Sequence, residues 1–132
     1  MSSAGRRWGP RLAALLFWAV CAWPAAGGEV AYEKSLFDRA LAQRLPVIVA
    51  FVAEWCATCT VQEPIVSELL RDPKFSHLTV FVADFDKDVE LKKRLRVVQQ
   101  STLVVFKGGQ EVARATGQTR RESLAALFAK AL

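Results

Sequence analysis

Two hydrophobic periods alternate along the chain. Continuous apolar runs at Val47–Val52 (VIVAFV) and at 78–85 (LTVFVADF) are short and β-branched, which predicts strands buried on both faces. Elsewhere apolar residues return every three or four positions. Tyr32, Leu36, Phe37, Ala40 and Leu41 predict an amphipathic helix over 29–44, ended by Leu45 and Pro46. A second helix is expected over about 56–71. Pro64 lies inside it without an N–H to donate, so the helix kinks there and need not stop. Asp72 and Pro73 make a turn, and 86–88 a loop. Over Val89–Leu95, Leu91 and Leu95 face inward while Lys92, Lys93, Arg94 and Arg96 point outward, the usual pattern of a solvated helix face. A strand at 103–107, a turn at Gly108 and Gly109 and a return strand at 112–115 predict a hairpin. Leu124, Leu127 and Phe128 give one face to a final helix over 121–131. The order αβαβαββα predicts an α/β fold, a mixed central sheet with helices on both faces.

The first 28 residues stand apart from this pattern. Arg6, Arg7 and Arg11 open the segment, an apolar stretch of eleven residues follows from Leu12, and Trp23, Pro24 and small residues close it at Gly28. This is the layout of a secretory signal peptide over 1–28, with cleavage after Ala26, Gly27 or Gly28. The apolar stretch falls short of the roughly 20 residues that cross a bilayer, so a cleaved leader is expected and not an anchor. The domain proper is then 29–132.

The leader changes how composition reads. The chain is 52% hydrophobic, enough for a packed core, but the leader inflates that figure. Without it Lys+Arg falls from 18 to 15 against 13 Asp+Glu, so a net charge of +5 becomes about +2. The basic balance belongs mostly to the leader and gives no case for a nucleic-acid partner. Cys21 leaves with it, and two cysteines remain.

Those two, Cys56 and Cys59, sit where the strand Val47–Val52 hands over to a helix. A helix N-terminus offers unpaired N–H groups and a partial positive charge. A thiolate there is stabilised and its nucleophilic fraction rises at neutral pH. Cys59 lies one turn deeper on the same face, within reach of a disulfide. The pair can cycle: Cys56 attacks a partner disulfide and Cys59 resolves the mixed disulfide. Two other readings are a zinc half-site and a static staple. Zinc needs four ligands, and outside the leader the chain adds only His77 to the two thiols. A staple across two intervening residues closes too short a loop to stabilise much on chain-entropy grounds. Asp84, Asp86 and Asp88 alternate after the second strand, where a solvated loop is a better reading than a cation site.

The stretch Ala53-Glu54-Trp55-Cys56-x-x-Cys59 after a buried strand resembles the thioredoxin family. Pro64 matches the proline that kinks the family's active-site helix, and Thr102-Leu103-Val104-Val105-Phe106-Lys107-Gly108-Gly109 resembles its later strand and turn. The resemblance runs from about Tyr32 to Leu132. Within the family, Glu63 and the run Asp72-Pro73-Lys74-Phe75 are similar to the C-terminal thioredoxin-like domain of the periplasmic thiol:disulfide interchange proteins. The resemblance implies a thioredoxin-like fold and a periplasmic thiol:disulfide oxidoreductase that needs no bound cofactor. It implies protein disulfides as substrates and a membrane-bound thiol reductase as electron donor. Strongly oxidising members carry histidine between the cysteines. Ala57 and Thr58 carry no charge, which points to the reducing side.

The same resemblance assigns supporting roles. Trp55 provides a flat surface that shields the thiol and meets a partner. Glu63, four residues after Cys59, accepts or relays the proton that Cys59 must lose; Glu54 is a weaker candidate. Two departures from the family stand out. Ala50 occupies the place of a buried aspartate six residues before the first cysteine. Ser101 occupies the place of a cis-proline facing the pair. A cis bond before a non-proline residue costs about 2.5–4 kcal/mol, so the bond before Ser101 is expected to be trans, with its hydroxyl facing the dithiol. That open hydroxyl beside an exposed Cys-x-x-Cys motivates an alternative, a metal-binding or metal-delivery protein that holds a soft ion such as Cu(I) on the two sulfurs.

Overall fold

The computed structural model describes residues 27–132. The leader expected over 1–28 therefore lies outside the described residues, apart from Gly27 and Gly28. The elements follow as β1 (Gly28–Ala31), α1 (Lys34–Ala42), β2 (Val47–Val52), α2 (Ala57–Arg71), β3 (Thr79–Asp84), α3 (Val89–Leu95), β4 (Thr102–Lys107), β5 (Gln110–Thr116) and α4 (Arg121–Phe128), with a 3₁₀ turn at Ala129–Ala131. The sheet order is β1-β3-β2-β4-β5. The first three strands in that order run parallel, and β4 and β5 each run antiparallel to their neighbour. This is the mixed-sheet α/β fold that the pattern predicts, and it agrees with the thioredoxin-like fold that the resemblance implies.

The continuous apolar runs are explained by burial on both faces. Along β2, Ile48 and Ala50 turn to one side and pack with Val66 and Leu69 of α2 and Leu124 and Phe128 of α4. Val47, Val49 and Phe51 turn to the other and pack with Phe37 and Ala40 of α1 and Leu91 and Leu95 of α3. With period-2 alternation and two covered faces, every position of such a strand must be apolar. The edge strand β5 is mostly exposed and reads as mixed polarity.

One element departs from the sequence reading. Residues 28–31 form β1 where a helix over 29–44 is expected, and α1 begins at Lys34. Three of the four β1 residues are exposed, so no local apolar pattern marks them. The strand exists because it pairs with β3, Gly28 to Thr79 through Ala31 to Val82, a contact fixed far along the chain. Gly28 thus belongs to the sheet, one residue before the expected domain start. At the other end the expected helix over 121–131 gives way to a 3₁₀ turn after Phe128. The basic residues of α3 are partly neutralised: Lys93 pairs with Glu90 and Arg94 with Asp38 of α1.

Candidate active site

β2 ends at Val52, and Cys56 is the N-cap of α2. The Cys56 backbone is extended, and its sulfur accepts the backbone N–H of Cys59 at 3.1 Å. One of the unpaired N–H groups at this helix start therefore points at the first sulfur. Cys56 and Cys59 are joined as a disulfide with Cα atoms 5.3 Å apart. Helix α2 runs through Pro64 without interruption to Arg71.

The pair is covered, contrary to the exposed pair expected from sequence. Cys56 is 3% and Cys59 1% exposed, packed with Ala53, Val52 and Phe85. The remaining cover is Ser101, itself 2% exposed. Its hydroxyl oxygen lies 3.0 Å from Cys56 Sγ and 3.1 Å from Cys59 Sγ. Ser101 immediately precedes β4 and has φ +58°, a left-handed conformation uncommon for a residue with a side chain. Its backbone is held on both sides: its N–H donates to Phe51 O at 2.8 Å and its carbonyl accepts from Gly117 N at 3.0 Å. No peptide bond is cis among the described residues, including the one before Ser101.

Trp55 stands beside the pair, 61% exposed. Its indole Nε1 donates to Asp86 Oδ2 at 2.8 Å, and its ring meets Phe85 edge-on at 6.5 Å. Lys92 lies over the Phe85 ring at 4.0 Å from the centroid. The alternating aspartates serve this loop. Asp84 Oδ1 accepts the N–H groups of Asp86 and Lys87, and Asp88 Oδ2 accepts the N–H of Asp84. The Lys87 ammonium, hydrogen-bonded to Asp84, holds that carboxyl below its ordinary value, and the two backbone N–H groups add to the effect. Asp86 as the anchor of Trp55 is a residue the sequence does not reveal. The two are 31 positions apart, and only the alignment of β2 with β3 brings them together.

Glu63 is exposed and makes no hydrogen bond to either cysteine among the described residues. It lines a cleft of about 160 Å³ together with Glu29, Gln62, Ser67 and the strand residues Ala50, Val52 and Val82. The cleft thus reaches Ala50, with Glu63 at its wall and neither cysteine among its lining residues. Glu29 is tied across it by the Ser67 hydroxyl at 2.7 Å. Gln62 is buried and its amide donates to the Gln118 carbonyl at 2.8 Å, which fastens α2 to the segment after β5. Glu54 and His77 are exposed and lie away from the hydrogen bonds of the pair. Among the described residues, no group of three or more His, Cys, Asp or Glu side chains comes together around a possible metal position.

Known proteins are similar to this chain in sequence and fold. The family profile described as Thioredoxin matches residues 29–130. A thioredoxin of Mycobacterium bovis is 34% identical over 92 residues, which is 70% of this chain and 78% of that protein. A bifunctional thioredoxin reductase/thioredoxin of Mycobacterium leprae is 33% identical over 92 residues, and there the chain spans only 20% of the relative. Among solved structures, Trxlp from Edwardsiella tarda superposes with a TM-score of 0.74 at 35% identity, covering 76% of this chain and 98% of that one. A mutant thioredoxin from Halobacterium salinarum gives 0.66 at 27% identity, covering 81% of this chain and 91% of that one.

Proposed function

The chain belongs to the thioredoxin family, and on that premise we propose that it is an exported thiol:disulfide oxidoreductase that reduces disulfides in other exported proteins. The observation that carries the reading is the Cys56–Cys59 disulfide at the N-terminus of α2, with the Cys59 N–H directed at Cys56 Sγ. In the reduced form that N–H and the helix end favour the Cys56 thiolate. Cys56 attacks a substrate disulfide and displaces one substrate thiolate. Cys59 then attacks Cys56 Sγ, the second substrate sulfur leaves, and the Cys56–Cys59 disulfide remains. Two electrons have passed to the substrate. A membrane-bound thiol reductase returns them by the same exchange run against the oxidised pair.

Export and a periplasmic site of action are supported by the leader pattern over 1–28. The likeness to the C-terminal domain of periplasmic interchange proteins is supported by Glu63 and by 72–75. Trp55 offers the partner an aromatic surface, and Glu63, four residues after Cys59 on α2, accepts the Cys59 proton. The reducing direction is supported by the uncharged Ala57 and Thr58 between the cysteines.

The test is the reduction potential of the pair in glutathione or dithiothreitol buffers, with single cysteine variants beside it. A potential near about −270 mV marks a reductant, and one near about −120 mV an oxidant. Cys56→Ser abolishes disulfide reduction, and Cys59→Ser accumulates mixed disulfides. Reduced protein that retains stoichiometric copper or zinc and shows no reversible two-electron couple would decide for the metal-binding alternative.

A further inference from the structure

The Ser101 hydroxyl is nearly equidistant from the two sulfurs, at 3.0 and 3.1 Å. In the disulfide neither sulfur carries a hydrogen, so the hydroxyl is the donor in either contact. Disulfide sulfur is a weak acceptor. A buried donor fixed by its backbone, with only weak acceptors in reach, is prepared for a better one. A thiolate is that acceptor, because hydrogen bonds to charged groups are roughly twice as strong as neutral ones.

The two sulfurs differ in what else supports them. Cys56 Sγ also receives the Cys59 N–H at 3.1 Å. At Cys59 Sγ the Ser101 hydroxyl is the hydrogen-bonding group among the described residues. Ala50, six residues before Cys56, contributes a methyl group and no carboxylate. Cys59 is 1% exposed, so its charged form receives little help from water.

We propose that Ser101 is a positioning residue of the redox couple, whose hydroxyl donates to whichever sulfur carries the negative charge. This rests on the oxidoreductase reading above. In the reduced resting form the hydrogen points to the Cys56 thiolate. Once Cys56 is tied in a mixed disulfide, the charge moves to Cys59 as its proton passes to Glu63, the acceptor proposed above. The hydroxyl then turns its hydrogen to Cys59. Because the oxygen is already close to both sulfurs, the switch needs only rotation of the O–H bond. Cys59 next attacks Cys56 Sγ, the bond to the substrate sulfur breaks, and the departing substrate thiolate takes up a proton from solvent.

The experiment compares wild type with Ser101→Gly and Ser101→Ala. Both lack the hydroxyl, but only glycine adopts φ +58° without strain, so the glycine variant separates lost chemistry from lost folding. The readout is the release of substrate thiol from a preformed mixed disulfide with a small peptide, followed against pH. The expected result is a slowing of about tenfold near neutral pH in both variants, with the midpoint of the rate profile displaced upward and the deficit shrinking in alkali. Wild-type rates and an unshifted profile in Ser101→Gly overturn the proposal while wild type still shows a reversible couple. If wild type shows no such couple, the oxidoreductase reading itself has failed, and the positioning role fails with it.

Discussion

Trp55 Nε1 donates a hydrogen bond to Asp86 Oδ2 at 2.8 Å, although the indole is 61% exposed. An exposed tryptophan beside a redox pair is ordinarily free to rotate. Here the bond and the edge-on contact with Phe85 fix the ring plane next to Cys56. Replacing Asp86 by Ala should release it. Faster fluorescence depolarisation of Trp55 is expected, with a loss of stability of about 1 kcal/mol or less. Reduction of a protein disulfide should slow severalfold, and that of a small disulfide much less. Equal effects on both substrates would show that the ring orientation serves no partner.

The cleft lined by Glu63 sets a second expectation. Glu63 reaches it from α2, and Ala50 forms part of its floor. Glu63→Gln should slow resolution of a mixed disulfide by about tenfold or more near neutral pH, with stability nearly unchanged because the side chain is exposed. A stopped-flow comparison of resolution rates checks this. A rate equal to wild type would remove Glu63 from the proton route.

Ala50→Asp places a carboxyl at a position only 6% exposed. Burial raises the pKa of that carboxyl in the folded state above its unfolded value. The cost to stability is therefore full above the raised pKa and fades as the pH falls through it. Urea titrations should show a loss of about 1–3 kcal/mol at neutral pH that is largely recovered in mild acid.

On the opposite face of the sheet, Phe37 of α1 is fully buried. It meets Tyr32, Phe81 and Phe106 edge-on at 5.9, 5.6 and 5.5 Å. Phe37→Ala should cost about 3–5 kcal/mol, from lost transfer energy and the cavity left behind. Phe37 is not among the residues packed with the pair, so the reduction potential of the folded protein should not move. A shifted potential would reveal coupling through the sheet.

Asp38 accepts a hydrogen bond from Lys34 at 2.6 Å and pairs with Arg94, and these contacts hold its carboxyl below the ordinary value. A carboxyl with a lowered folded pKa stabilises above its unfolded pKa, and the contribution disappears as the pH falls through the lowered value. The side chain is 35% exposed, so the effect is screened. Asp38→Asn should cost less than about 1 kcal/mol at neutral pH, and nothing in strong acid. Urea midpoints at the two pH values check the sign.

The central architecture was readable because its signals are local. The runs that became β2 and β3 had to be apolar throughout once both faces were covered, and Leu91 and Leu95 had to recur at helical spacing to bury one side of α3. Cys56 and Cys59 declared themselves by their spacing at a strand-to-helix junction. Tertiary structure decided what no local signal carries. Gly28–Ala31 became a strand only because β3 offered an open edge. Asp86 came to Trp55 through the β2–β3 register, across 31 positions. Ser101 could be placed opposite the pair from sequence by resemblance. Its equal approach to both sulfurs depends on the β2–β4 pairing and on a left-handed backbone held by Phe51 and Gly117. Periodicity reports which face of an element is buried, whereas contacts between distant elements depend on register and loop geometry, which a single chain does not spell out.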